Sequence, residues 1–236
     1  MTQGIRAIVD RQVTRWNAER KALDERKGGV IIPRPVIAIS RQMGCGGAEV
    51  AKNVAHRLDC QLIGYELVDE ISNRAKVRKD LLDCMDERVG ADSRPWLYRV
   101  FSEESFDEGD YHKYLPLVLG GLMQLGSVVF LGRGAGFVAA KGPRLRVRIV
   151  ASLERRIQTI MVREACSRGE AEASIKECDG ERAKFVKRLF SKDINDPLEH
   201  DLVINTDYID ISCAAALLES AWVHHVSGQN IVQKPD

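Results

Sequence analysis

Residues 35–58 read "PVIAISRQMGCGGAEVAKNVAHRL", and their interpretation decides the fold. Val36 to Ser40 is a short apolar run with β-branched residues, the mark of a buried strand. Gly44, Gly46 and Gly47 interrupt it, and then Val50, Val54 and Leu58 recur at every fourth residue, along one face of a helix. Strand, glycine turn and helix in this order make the local architecture of a phosphate-binding loop. Glycines let the backbone curl and bring N–H groups to an anion, and the helix N-terminus adds partial positive charge. The full G-x-x-x-x-G-K-[ST] pattern is nevertheless missing. Arg41 stands at its first glycine, Gly47 at its lysine, and Ala48 at the hydroxyl residue that would help hold magnesium. On these residues alone, a phosphate site and a ligand-free strand-to-helix turn are equally good readings. Cys45 sits inside the turn near a helix N-terminus, a setting that lowers a thiol pKa and invites oxidation; a small residue tolerated in a turn is the plainer account.

Outward from this stretch the same alternation continues. "CQLIG", "SVVFLG", "RLRVRIVAS" and "HDLVINT" read as further short strands. "YELVDEISNRA", "YHKYLPLVLGGLMQLG", "LERRIQTIMVREACSRG", "EAEASIKECDGERAKFVKRLF" and "DISCAAALLESAWVHHV" read as helices. Strands alternating with helices predict an α/β three-layer sandwich around a mainly parallel sheet. In such folds ligands bind at the carboxyl ends of the strands, which singles out "SRQMGCGG", "LGRGAG" and the segment after "VRIVAS". Ile5, Ile8, Val9, Val13, Trp16 and Leu23 place a leading helix before "KGGVIIPRP". Its apolar stripe packs on its own domain or, in the sharper alternative, forms a homodimer contact. The expected organisation is an N-terminal helical arm over 1–30, a domain over 31–226 with a lid at about 165–195, and a flexible tail over 227–236.

Bulk properties exclude several classes. The 236 residues carry a net charge of +1, which gives no argument for nucleic acid or an anionic membrane. No apolar run approaches the roughly 20 residues that cross a bilayer, and a cytoplasmic protein is expected. The six cysteines are scattered without a C-x-x-C pair, as reduced thiols rather than a disulfide framework or a zinc site.

Two further features carry chemistry. Arg133 follows a buried strand between glycines, where a guanidinium can hold a phosphate in bidentate fashion; a surface arginine in a glycine-rich loop is the bland alternative. Asp179 and Arg182, three apart, share a helix face, and Lys184, Lys187 and Arg188 extend the charge, as a solvated helix with internal ion pairs also would.

In order along the chain, "ISRQMGCGGAEVAKNVAHRL", "ELVDEI", "MDERV", "VVFLGRGAGFV", "VRIVASLERRI", the Asp179–Lys187 segment "DGERAKFVK" and "DLVINT" resemble the cytidylate kinase-like family of P-loop proteins, over about residues 34–220. The resemblance implies a five-stranded parallel sheet of the nucleoside monophosphate kinase type with an arginine-bearing lid. It implies transfer of the γ-phosphoryl group of ATP to CMP or dCMP with magnesium. By motif, Arg41, Gly44, Cys45, Gly46, Gly47 and Ala48 fall in the phosphate loop. Arg133 matches the arginine of a "GRD" motif that helps hold the nucleoside monophosphate. Asp179 and Arg182 match a lid pair with Arg182 reaching the transferring phosphates, Lys187 closes that segment, and Arg156 matches an arginine of the helix entering the lid. The departures are equally specific. Family members that lack the lysine place Arg or Lys where this chain has Ala48, the Asp of "GRD" is Gly134, and an expected Asp after Tyr65 is Glu66. Three readings follow: an ATP-dependent nucleoside monophosphate kinase, a catalytically impaired nucleotide-binding sensor or scaffold on the same fold, or a purely structural interaction protein.

Overall fold

A computed structural model of the chain describes residues 34–64, 115–116, 118–120, 122–123, 126–138 and 144–232. The expected N-terminal helix, the helix "YELVDEISNRA" and the "MDERV" segment lie outside the described residues. The chain divides into two compact units, one of 1–34, 65–126 and 139–142, the other of 35–64, 127–138 and 143–236. In the first, Leu115, Val118, Leu119, Leu122 and Met123 are buried at helical spacing. That segment stops at Gly126, whose positive φ of 65° turns the chain and whose N–H donates to the Met123 carbonyl.

The second unit is the α/β core. Its strands are β1 (Val36–Arg41), β2 (Gln61–Ile63), β3 (Val128–Leu131), β4 (Leu145–Val150) and β5 (Leu202–Asn205). They form a sheet of order β2-β3-β1-β4-β5 in which every pairing is parallel. β1 is central because both its faces are covered: Val36 through Ile39 are all buried, as an unbroken apolar run requires. Helices α1 (Gly47–Arg57) and α4 (Ile211–Val232) pack together, and Val50, Val54, Leu218 and Trp222 join Ile37, Ile39, Val147 and Ile149 in one core. Helix α4 continues six residues beyond the end expected at 226, into the stretch read as tail.

Helices α2 (Leu153–Glu164) and α3 (Arg168–Phe190) form a pair with its own small core of Ile157, Ile160, Ala171 and Ile175. Both begin on a serine. Ser152 caps α2, and Ser167 forms a capping box with Glu170 at the start of α3. Helix α1 differs. Its N-cap is Gly46, which has no side chain to satisfy the first-turn amides. Because β1 lies between β3 and β4, the turn into α1 sits where the sheet changes direction, the crevice in which such folds bind ligands.

Candidate active site

The turn after β1 is held from several sides. The N–H of Gln42 donates to the Ile149 carbonyl (3.1 Å), and the Gln42 side-chain oxygen accepts from the Ala151 amide (3.1 Å). Thr206 at the end of β5 donates its hydroxyl to the Cys45 carbonyl at 2.8 Å. Gly44 and Gly46 adopt left-handed backbones (φ 79° and 75°). A Cβ on Gly44 would stand 2.8 Å from the Arg156 carbonyl oxygen, so only glycine fits. The amides of Gly44 and Gly46 have no acceptor among the described residues, and Gly46 is the N-cap of α1. The expected loop therefore has the form of an anion cradle.

Of the two readings of Cys45, the plainer one fits the structure. Its thiol is buried, donates to the Ile149 carbonyl at 3.4 Å, and has its pKa raised by desolvation. The helix N-terminus does not outweigh burial here, and the thiol is a packing group.

Helix α3 reaches the loop through Asp179. One carboxylate oxygen accepts from the Met43 amide at 2.8 Å and from Arg182 Nη1 at 3.3 Å; the other accepts from Arg156 Nη1 at 2.7 Å. Arg182 also donates to the Arg41 carbonyl at 3.3 Å, and Arg156 to the Met43 carbonyl at 3.4 Å. Met43 packs its side chain against the α2–α3 core. Three predicted residues, Arg156, Asp179 and Arg182, are thus joined to the loop they were expected to serve. The spacing of Asp179 and Arg182 is an intrahelical ion pair, but its charge is directed inward to a backbone amide 136 residues away.

Arg133 closes another side. Gly132, Arg133 and Gly134 all have positive φ (90°, 49° and 67°), and for Arg133 that conformation is strained by about 1–3 kcal/mol. The strained backbone sets its guanidinium over the Phe185 ring of α3, 5.4 Å from the centroid. Gly134 replaces the expected aspartate for a steric reason: a Cβ there would overlap the Phe190 ring. Phe190 in turn packs on Phe137 at 5.9 Å between centroids. Ala48 lies in the first turn of α1, and Lys187 is exposed on α3 with no side-chain contact to the arginine group among the described residues.

One member escaped the sequence reading. Arg148 on β4 is only 5% exposed, and it donates to Ser40 Oγ and Asn195 Oδ1, both at 2.8 Å. Neither partner is charged, and desolvation lowers its pKa. The alternation in "RLRVRIV" held a signal. Arg146 and Arg148 share a strand face, and Arg146 is paired with Asp201 at 2.6 Å while Arg148 has no such partner. Among the described residues Arg41, Arg148, Arg156 and Arg182 bring four guanidinium groups to the loop, with Arg133 near Arg41, and Asp179 is the carboxylate bonded to Arg156 and Arg182. Such a surplus, partly removed from water, favours a polyanion.

The model of the cytidylate kinase-like family matches residues 36–208. The chain belongs to that family. The cytidylate kinase of Pyrobaculum islandicum is 26% identical over 180 residues, 76% of this chain and 88% of that protein. Among solved structures, an uncharacterized protein from Eubacterium ventriosum superposes with a TM-score of 0.63 at 20% identity, covering 81% of this chain and 99% of that one. A shikimate kinase from Bacteroides thetaiotaomicron gives 0.41 at 14% identity, over 79% and 96% of the two chains. The five-stranded parallel sheet is that of an α/β P-loop protein, and family and fold together support a nucleotide kinase-type function. Among the described residues no helix is long and apolar enough to cross a membrane.

Proposed function

We propose that the protein is an ATP-dependent nucleoside monophosphate kinase that phosphorylates CMP or dCMP. The observation that carries this reading is the gathering of guanidinium groups around the glycine turn: among the described residues Arg41, Arg148, Arg156 and Arg182 meet there, and Asp179 is the carboxylate bonded to Arg156 and Arg182. Phosphoryl transfer asks little covalent chemistry of a protein. It needs the donor phosphates held, the acceptor oxygen brought into line, and the charge on the equatorial oxygens neutralised. The turn amides would hold the donor phosphates, Arg182 would meet the transferring group from the lid, and Arg133 would hold the acceptor phosphate. Arg156 and Asp179 would keep the lid on the loop. The described residues contain no cluster of three His, Cys, Asp or Glu side chains suited to a metal, and Ala48 has no hydroxyl. Magnesium would enter with the phosphates of ATP, and the arginines would supply the chain's own positive charge to the transferring group.

A coupled assay with ATP, magnesium and a panel of nucleoside monophosphates tests the proposal, with turnover expected on CMP and dCMP. Folded protein that turns over no acceptor would refute it.

A further inference from the structure

The loop lacks its lysine, and the reason is steric. A Cβ on Gly47, the lysine position of the loop pattern, would lie 2.6 Å from Cβ and 3.1 Å from Cγ of Arg41. The space a lysine stem would need is therefore filled by the arginine that ends β1. Farther along the same side chain, a Cβ on Gly132 would overlap Arg41 Nη1, and Gly132 has a φ of 90° that only glycine adopts easily. Two glycines from different elements thus form a channel, and Arg41 runs through it to the mouth shared by β1 and β3.

We propose that Arg41 is the phosphate-contacting cation of this site, having exchanged places with the lysine: the charge has moved from the first residue of the helix to the last residue of the strand, and Gly47 is the vacated position. The ligand it takes is the polyphosphate chain of a nucleoside triphosphate. This rests on the kinase-type reading above but concerns binding, which can be measured without transfer.

Three observations support the exchange. Arg41 has no carboxylate partner and no side-chain hydrogen bond among the described residues. Arg182 and Arg133 are near enough to repel it, and burial with that repulsion pulls its pKa down to about 10. A guanidinium held half-buried among like charges has no structural reason to be there, whereas one awaiting a phosphate has. Arg182 also donates to the Arg41 carbonyl at 3.3 Å, which brings the lid arginine to the same mouth.

The test uses the full chain and calorimetric titration with inorganic tripolyphosphate and with ATP, with thermal melting as the control on folding. Arg41→Met is expected to weaken tripolyphosphate binding about 10- to 100-fold, the loss of one charge-assisted contact, without lowering the melting temperature. Arg41→Lys should retain affinity within about tenfold of wild type. Gly47→Lys in the otherwise unchanged chain should weaken binding by colliding with Arg41, and in the Arg41→Gly background, which removes the Cβ it would strike, it should instead strengthen binding. That reversal of sign is the signature of an exchange. The inference is overturned if the wild-type chain binds no tripolyphosphate, if Arg41→Met binds within about twofold of wild type, or if Arg41→Gly with Gly47→Lys binds no better than Arg41→Gly alone. It is equally overturned if Arg41→Met and Arg41→Lys both lower the melting temperature in step with affinity, because Arg41 would then be structural. Arginine-dependent binding without transfer to any nucleotide would refute the kinase and leave the exchange standing.

Discussion

Replacing Asp179 by asparagine tests whether one carboxylate holds the lid to the loop. The substitution keeps the shape and an acceptor for the Met43 amide but removes the charge that faces Arg156 and Arg182. Arg156 is 8% exposed, its Nε has no hydrogen-bond partner, and Asp179 is its carboxylate. Breaking a fully buried pair by removing one partner costs roughly 3–5 kcal/mol. The Asp179 side chain is 24% exposed, so water moderates the loss, and about 2–4 kcal/mol is expected. At roughly 2–4 °C per kcal/mol for a chain of this size, the melting temperature should fall by about 5–15 °C. The assay is thermal melting of wild type and Asp179→Asn with and without saturating tripolyphosphate. The polyanion supplies the negative charge the variant lacks, so it should raise the melting temperature more in the variant than in wild type. A melting temperature within about 2 °C of wild type would refute the reasoning, as would a smaller ligand-induced rise in the variant.

Three other outcomes are expected. Arg182→Ala should lower the rate of phosphoryl transfer by about 10³-fold or more, as arginines that meet the transferring group do, with an unchanged far-UV spectrum; an unchanged turnover number would remove Arg182 from the reaction. Gly134→Asp should destabilise the chain by about 2–4 kcal/mol in urea titration, summing overpacking against Phe190 with a left-handed non-glycine backbone, and Phe190→Ala should recover part of that loss. Burial holds the His200 imidazole below its ordinary value of 6.5 while Nε2 lies 3.0 Å from the Ile194 carbonyl. The unfolded chain therefore binds this proton more readily. Stability from the neutral ring is full above about pH 6.5 and is lost as pH falls below it, a slope that His200→Gln should flatten in urea melts between about pH 5 and 8.

The elements of the sheet were legible because each strand is a short apolar run and each neighbouring helix has its own period. The loop was legible because three glycines in four residues between a strand and a helix have few other uses. What the sequence could not show is what each charge touches. Asp179 and Arg182 reveal their shared face by spacing, yet the Met43 amide and Arg156 reach Asp179 only through the docking of α2 and α3 on the loop. Arg148 was missed because an arginine in an alternating strand reads as solvent-facing, and its burial depends on Ser40 and Asn195 from two other segments. For the Cys45 thiol the helix N-terminus is visible in sequence, while the burial that decides for the plainer reading, a small residue tolerated in the turn, is tertiary. The departures at Gly47 and Gly134 looked like losses. Each is explained by a side chain from elsewhere, Arg41 in one case and Phe190 in the other.

The Phe190 ring over Gly134 has an evolutionary consequence. Aspartate at position 134 and a large aromatic at position 190 compete for one volume, although 56 positions separate them along the chain. Aspartate is disfavoured while the aromatic remains, so relatives with "GRD" should carry a small residue at the end of α3, and an aromatic there should go with "GRG". Chains with both the aspartate and the aromatic should be rare, and the pair could sort the family into lineages before any substrate is assayed.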